Sequence, residues 1–417
     1  MMVTASALTE EATCQLEQIG YTDIVIGIPS YNNAATIRYV IEAATQGAAG
    51  HFPHLRAVVL NSDGGSTDGT RESALRAALP PGVERIVTVY QGLPGKGSAV
   101  RAIFEAARRL GAQLCIVLDS DLRSITPQWM ERLGRPILSG EYDYVTPYYV
   151  RDKYDGTITN NIVYPMTRML YGVEVRQPIG GDFAVGAWLL DTYLQQEVWD
   201  SDVARYGIDI WMTTTAINTG ARICQAYLGA KIHDAKDPAT ALGPMFRQVV
   251  GTMFGMMAHY EGRWKSVHSV QSAPIYGTAE TIIPEPVPVN LETMIKQLHQ
   301  GHKEWKSVWE QLFSPHNRQA LAAILSREVS AFRFEAAHWA DMVLDYAVAY
   351  HRDMLDRGRM MDSMVPLYYG RTAGMVVESQ AMDLATFERE VVQAQAKIFE
   401  QLKPQLIVRW ETTAPSR

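Results

Sequence analysis

The chain has 417 residues, 47% of them hydrophobic and 20% charged, with a formal net charge of −7; this is globular composition, enough for one large domain and a smaller one, and it excludes a disordered chain. A negative balance gives no general attraction for nucleic acid or an anionic membrane, so an anionic ligand has to be held by local cations or a metal. The three cysteines, Cys14, Cys115 and Cys224, are too few and too scattered for a disulfide framework or a Cys-based zinc site, which fits a reducing cytoplasm.

Residues 1–22 are a helical or loose lead-in without the basic start and apolar core of a signal peptide. Ile24 to Ile28 is then a buried-strand run that stops at Pro29-Ser30-Tyr31-Asn32-Asn33, and a helical pattern resumes from Thr36 to Ala44. The cycle repeats with a strand at Leu55 to Leu60, a loop from Asn61 to Thr70 and a helix over 71–78. It repeats again with a strand from Val83 to Tyr90, the loop Gly92-Leu93-Pro94-Gly95-Lys96-Gly97 and a helix over 98–110. The fourth strand, Cys115-Ile116-Val117-Leu118, ends abruptly in Asp119-Ser120-Asp121. Alternating units of this size predict a mostly parallel sheet with helices on both faces and all four loops on one edge. Alternate residues of an extended chain point the same way, so Asp119 and Asp121 can present two carboxylates to one hard cation. Asp-x-Asp alone is more often a solvated turn.

No Gly-x-Gly-x-x-Gly follows the first strand, and Pro94-Gly95-Lys96-Gly97 lacks the Walker frame, which sets aside dinucleotide and P-loop folds. Instead Ile28-Pro29-Ser30-Tyr31-Asn32, Asp63-Gly64-Gly65-Ser66-Thr67-Asp68, Pro94-Gly95-Lys96-Gly97 and Asp119-Ser120-Asp121, in that order, resemble the nucleotide-sugar half of GT-A glycosyltransferases of the family 2 type. A nucleoside diphosphate sugar needs a slot and hydrogen-bonding partners for base and ribose, which Pro29, Tyr31 and Asp63 can provide. Its diphosphate needs neutralisation, for which Lys96 and a divalent cation (Mg²⁺ or Mn²⁺) on Asp119 and Asp121 are suited. Asn32 and Ser120 lie in the same loops and count with the donor-binding set.

Further on come Arg151 to Thr159, then Gln177-Pro178-Ile179-Gly180-Gly181-Asp182, Gly207-Ile208-Asp209 and Gly229-Ala230-Lys231-Ile232-His233. These resemble the retaining synthases of mannosylglycerate, glucosylglycerate and glucosyl-3-phosphoglycerate, over about residues 23–250. The resemblance implies a third metal ligand in His233, an acceptor carboxylate and hydroxyls on Arg151 and Thr159, and Asp209 against donor sugar or acceptor. Gly180 and Gly181 join the donor site. It also implies front-face attack with retention; an inverting reaction would need a base, for which Asp209 or Asp182 would serve. Partners are then a nucleoside diphosphate hexose with D-glycerate or 3-phosphoglycerate, and a second copy in a homodimer. For the phosphorylated acceptor, Arg151, Lys153 and Arg168 would have to form a basic cluster. Each residue also has a plain reading: His233 as a surface histidine, Asp209 as a helix-start acid, Gly180 and Gly181 as a tight turn.

The organisation expected is a catalytic domain over 23–265 (nucleotide-sugar half 23–121, acceptor half 122–265), a proline-rich linker over 266–289 and an all-helical domain over 290–417. Its helical stripes are Leu291, Met294, Ile295 and Leu298, then Trp305, Val308, Trp309 and Leu312, then Trp339, Val343, Tyr346 and Tyr350. Pro366 reads as a break, leaving Tyr368, Tyr369, Arg371 and Thr372 either to reach the acceptor or to pack the helices. The run from Ala241 to Met257 is interrupted by Arg247 and Gln248, so no membrane span is expected.

Overall fold

The computed structural model describes residues 5–233, 242–279 and 282–412. Strands β1 (Ile24–Ser30), β2 (Ala57–Asp63), β3 (Val83–Val89) and β4 (Leu114–Val117) are each followed by a helix: Ile37–His51, Thr70–Leu75, Lys96–Arg109 and Gln128–Leu138. Then come β5 (Tyr144–Val150), the two-residue β6 (Val173–Glu174), β7 (Phe183–Gly186), β8 (Ile223–Ala230), and the two-residue β9 (Gln271–Ser272) and β10 (Ile275–Tyr276). The main sheet runs β10-β8-β5-β7-β4-β1-β2-β3. All its neighbours are parallel except β7, which is antiparallel to both β4 and β5.

Apolar alternation explains the layers. Ile24, Ile26 and Ile28 of β1 join a core with Ile37, Val40, Ile41, Trp129 and Leu133 of the helices on one face. The intervening Gly27 faces the other way, where a Cβ would lie 2.2 Å from Ile103 of the helix Lys96–Arg109, so that helix can press directly on the strand. Burying such side chains stabilises by about 1.5–3 kcal/mol each. This is the GT-A arrangement. The antiparallel strand matters most for the site: Phe183 pairs with Val117, so the turn entering β7 lies where β4 ends.

Contacts divide the chain into two units, one within 1–150, 175–234 and 273–284, the other within 151–174, 235–272 and 285–417. This division is not continuous in sequence. The segments 151–174 and 242–272, expected with the catalytic domain, pack with the later helices. Part of the expected linker is strand, because Ile275 and Tyr276 hydrogen-bond along the edge of β8.

In the second unit the long helices are Gly243–His259, Leu291–Leu312, Ala336–His351, Arg357–Ser379 and Ala394–Glu411. Asn290 caps the second of these by accepting from Thr293 N. The apolar stripes are its core, with Met294, Ile295, Leu298, Val308, Trp309, Leu312, Trp339, Val343 and Tyr346 buried. Pro366 does not break the chain; it lies inside the helix Arg357–Ser379. Its ring sits where a Cβ of Gly301 would be, 2.2 Å away, so interhelical packing outweighs the lost backbone bond. Tyr368, Arg371 and Thr372 are accordingly fully buried, with Tyr369 5% exposed. No helix of the described residues is long and apolar enough to cross a membrane.

Candidate active site

The chemistry-bearing residues of the sheet unit collect at the carboxyl ends of β1, β2, β4 and β8 and at the turn before β7. The first loop, Tyr31-Asn32-Asn33, is tied to the second. Asn32 takes a left-handed backbone, φ 57°, its N–H donates to Ser66 Oγ at 2.8 Å, and its Oδ1 accepts from Thr67 N at 3.1 Å. Ser120 donates its hydroxyl to Asn33 Oδ1 at 2.8 Å. Pro29 is buried within β1. Tyr31 is 66% exposed, beside Gly64, where a Cβ would meet its ring at 3.2 Å.

Asp63 is fully buried and accepts from the hydroxyls of Ser30 and Ser66 at 2.7 Å and from the backbone N–H groups of Gly65 and Ser66 at 2.9 and 2.7 Å. The carboxylate thereby holds the Asp63–Ser66 turn, an Asx-type use.

At the third loop, glycines set the geometry. A Cβ on Gly97 would lie 1.8 Å from Val203 O and one on Gly95 2.6 Å from Ala204 O, and Gly97 N donates to Arg205 O at 3.1 Å. Only glycine admits that backbone approach. It brings the start of the helix Ile208–Asn218 against Lys96, whose ammonium donates to Asp209 Oδ2 at 3.1 Å and to Asp119 Oδ1 at 2.9 Å. Burial opposes the charge on Lys96, but Asp119 and Asp209 outweigh it and hold its pKa above the usual lysine range. Burial raises the pKa of Asp209, Lys96 opposing and the Asp119 charge adding. Its second oxygen, Oδ1, is buried and has no hydrogen-bond partner among the described residues.

Asp119 has both oxygens occupied by ammonium groups: Lys96 on Oδ1 and Lys231 on Oδ2, the latter at 2.7 Å. Burial works against its ionisation, yet Lys231 and Lys96 prevail and keep its pKa well below the carboxylate range. Lys231 also donates to Gly180 O at 2.8 Å and to Asp182 Oδ2 at 3.0 Å. Asp182 is fully buried; Tyr149 donates its hydroxyl to Oδ2 and Asp119 its N–H to Oδ1 at 2.8 Å. Burial, with the Asp119 charge nearby, raises its pKa against the pull of Lys231. Enclosed this way, it ties the turn before β7 to the end of β4 and to Lys231. Gly181 needs its glycine, with φ 93° and a Cβ position 2.2 Å from Asp119 Oδ2.

Asp121 points elsewhere. Its Oδ2 lies 3.8 Å from His233 Nδ1, the side chains being 30% and 20% exposed. The two are brought together because the segment after β8 zips onto the Asp121–Ser124 loop, with Ile232 N donating to Ser124 Oγ and Arg123 N to Ile232 O. A carboxylate oxygen and an imidazole nitrogen fit two positions of a divalent cation, the rest being open to diphosphate oxygens. Asp119, expected with them, is turned to the lysines instead, and no group of three such ligands converges among the described residues.

Arg151 and Thr159 belong to the other unit. Arg151 Nε lies 3.7 Å from Asp155 Oδ2, and Thr159 opens a π-helical turn, Thr159–Val163. Lys153 donates to the carbonyls of Ser379 and Met382 at 2.8 and 2.7 Å. Arg168 is paired with Glu174 at 3.1 Å and Glu400 at 2.6 Å. Each of these three cations thus has an acidic or carbonyl partner within its own unit. Lys231 and Tyr149 are site residues that the sequence reading passed over. The signal for Lys231 was the same alternation that pairs Asp119 with Asp121, since it stands two before His233.

Residues 25–194 match the model described as glycosyl transferase family 2, a span reaching from β1 to the end of the helix Ala187–Leu194. That span resembles a family 2 glycosyltransferase domain, and it is the part of the chain that builds the GT-A-type sheet and its carboxyl-edge loops. Among solved structures it is similar to glucosyl-3-phosphoglycerate synthase from Mycobacterium tuberculosis in complex with Mg²⁺ and UDP. That likeness has 26% identity over 58% of this chain and 82% of that one, TM-score 0.44. The same enzyme with Mn²⁺, UDP-glucose and phosphoglyceric acid gives 23% identity over 61% and 86%, TM-score 0.43. No curated protein matches the chain.

Proposed function

We propose that the protein transfers glucose or mannose from a nucleoside diphosphate hexose to D-glycerate, with retention, giving glucosylglycerate or mannosylglycerate. The observation that carries this is the arrangement around Lys96: an ammonium shared by Asp119 and Asp209, beside Asp121 and His233, with Asp209 Oδ1 buried and unpartnered. A buried acceptor without a partner among the described residues is costly unless a ligand donates to it; a hydroxyl of the donor sugar is such a donor. The exposed ring of Tyr31 offers the base a face to stack on. Asp121 and His233 would hold Mg²⁺ or Mn²⁺, which supplies Lewis-acid stabilisation of the leaving diphosphate.

Retention is supported by what the carboxylates are doing. Asp182 is enclosed and Asp209 is held by Lys96, so the acceptor proton goes to the leaving diphosphate in a front-face displacement. The unphosphorylated acceptor is supported by the engagement of Lys153 and Arg168 with carbonyls and carboxylates of their own unit.

The test incubates the protein with Mg²⁺ or Mn²⁺, UDP-glucose, GDP-glucose or GDP-mannose, and D-glycerate, 3-phosphoglycerate or no acceptor. Nucleoside diphosphate release is followed, with products identified by mass spectrometry and the anomeric configuration by NMR. Metal-dependent hexosylglycerate with retained configuration is expected. Turnover with 3-phosphoglycerate alone would overturn the acceptor, and an inverted product would overturn the mechanism.

A further inference from the structure

We infer that Lys231 is a positioning residue that fixes the Asp119 carboxylate, and through it Lys96 and Asp209, for the donor diphosphate. The inference rests on the reading of this cleft as a nucleotide-sugar site. Lys231 is 3% exposed in its side chain, so it touches no ligand itself. All three protons of an ammonium can be placed: on Asp119 Oδ2 at 2.7 Å, Gly180 O at 2.8 Å and Asp182 Oδ2 at 3.0 Å. Those acceptors come from the end of β4 and the turn entering β7, while Lys231 itself follows β8. One side chain thus fastens three segments of the cleft floor.

The consequence is directional. With Oδ2 held, Asp119 offers only Oδ1 to Lys96, and Lys96 is thereby drawn between Asp119 and Asp209. Gly181 leaves room for the carboxylate in this seat, since a Cβ added there would lie 2.2 Å from the same Oδ2. The face of the Tyr149 ring, 5.0 Å from Lys231 Nζ, lines the cation, and the Tyr149 hydroxyl binds the same Asp182 oxygen. Polar side chains that orient the groups a ligand touches change affinity or rate by 10–100-fold when removed, with no contact of their own.

The experiment separates positioning from mere support. Lys231→Met and the double variant Lys231→Met/Asp182→Asn are compared with the wild type in thermal unfolding, in UDP and GDP affinity by calorimetry with Mn²⁺, and in kcat and KM. Lys231→Met leaves Asp182 buried without its counter-charge, so its melting temperature falls; Asp182→Asn removes that charge and recovers it. The proposal expects nucleotide affinity to fall at least tenfold in Lys231→Met and to stay low in the stable double variant, with kcat reduced more than the acceptor KM is raised. Wild-type affinity in either variant, or affinity that returns with the melting temperature, would make Lys231 structural only and overturn the proposal. A wild type that binds neither nucleotide would instead overturn the reading of the cleft and take this role with it.

Discussion

Two lysines, the half-buried Lys96 of one unit and the buried Lys403 of the other, have opposite fates. Lys96, in the sheet unit, lies between two carboxylates, which raise its pKa despite burial. Lys403, in the helical unit, donates to the carbonyls of Val267 and Leu170 at 2.7 and 3.2 Å, and burial pushes its pKa down to about 8. Carbonyl dipoles satisfy an ammonium's hydrogen bonds without offsetting its charge, whereas carboxylates do both. The same contrast separates Lys231, on two aspartates, from Lys153, on the carbonyls of Ser379, Gln380 and Met382. Cations paired with acids at strand ends form a polar cleft; cations on helix ends hold helices.

Substitutions should divide along that line. Lys96→Met is expected to have the largest effect, lowering kcat/KM by about two to three orders of magnitude, because it removes a fixed positive charge from where diphosphate charge develops. Steady-state kinetics on the variant decide this, and a loss under tenfold would break the contrast. Asp209→Asn keeps the shape and weakens an ionic hydrogen bond, so about a 10–100-fold loss in kcat is expected, with thermal stability kept or raised because burial already disfavours its charge. Lys153→Met should leave nucleotide affinity unchanged while destabilising the helical unit by about 1–3 kcal/mol, as its carbonyl partners lose a charged donor; urea unfolding with nucleotide calorimetry measures both.

The smallest effect is a pH dependence. A lysine near 10.5 when unfolded and about 8 when folded means that the unfolded chain binds the extra proton between those values. Stability therefore rises with pH across that window. Unfolding of wild type and Lys403→Met over pH 7 to 11 should show the rise only in the wild type, in the transition that involves the helical unit.

The sheet was legible because its strands are apolar runs ended by Pro, Gly and Asp, and Ile24 to Ile28 could hardly be anything else. The antiparallel β7 was not, since four apolar residues carry no direction. Pro366 misled because its tolerance depends on Gly301, which lies sixty-five residues away in sequence. At the site, strand alternation did not carry past Val117, where β4 ends: Asp119 and Asp121 face different partners, lysines for one and His233 for the other. Asp63 was legible as a loop acid, yet its four donors come from Ser30, Gly65 and Ser66, so its enclosure became visible only in three dimensions.

The claim at the centre is that the carboxyl edge of the sheet binds a nucleoside diphosphate through a cation on Asp121 and His233. Calorimetry of UDP and GDP binding to wild type and Asp121→Ala, each with Mn²⁺ and with a chelator, tests it directly. Binding that needs the metal and falls at least about a hundredfold in Asp121→Ala is the predicted result. Equal affinity with and without metal, unchanged in the variant, would contradict it.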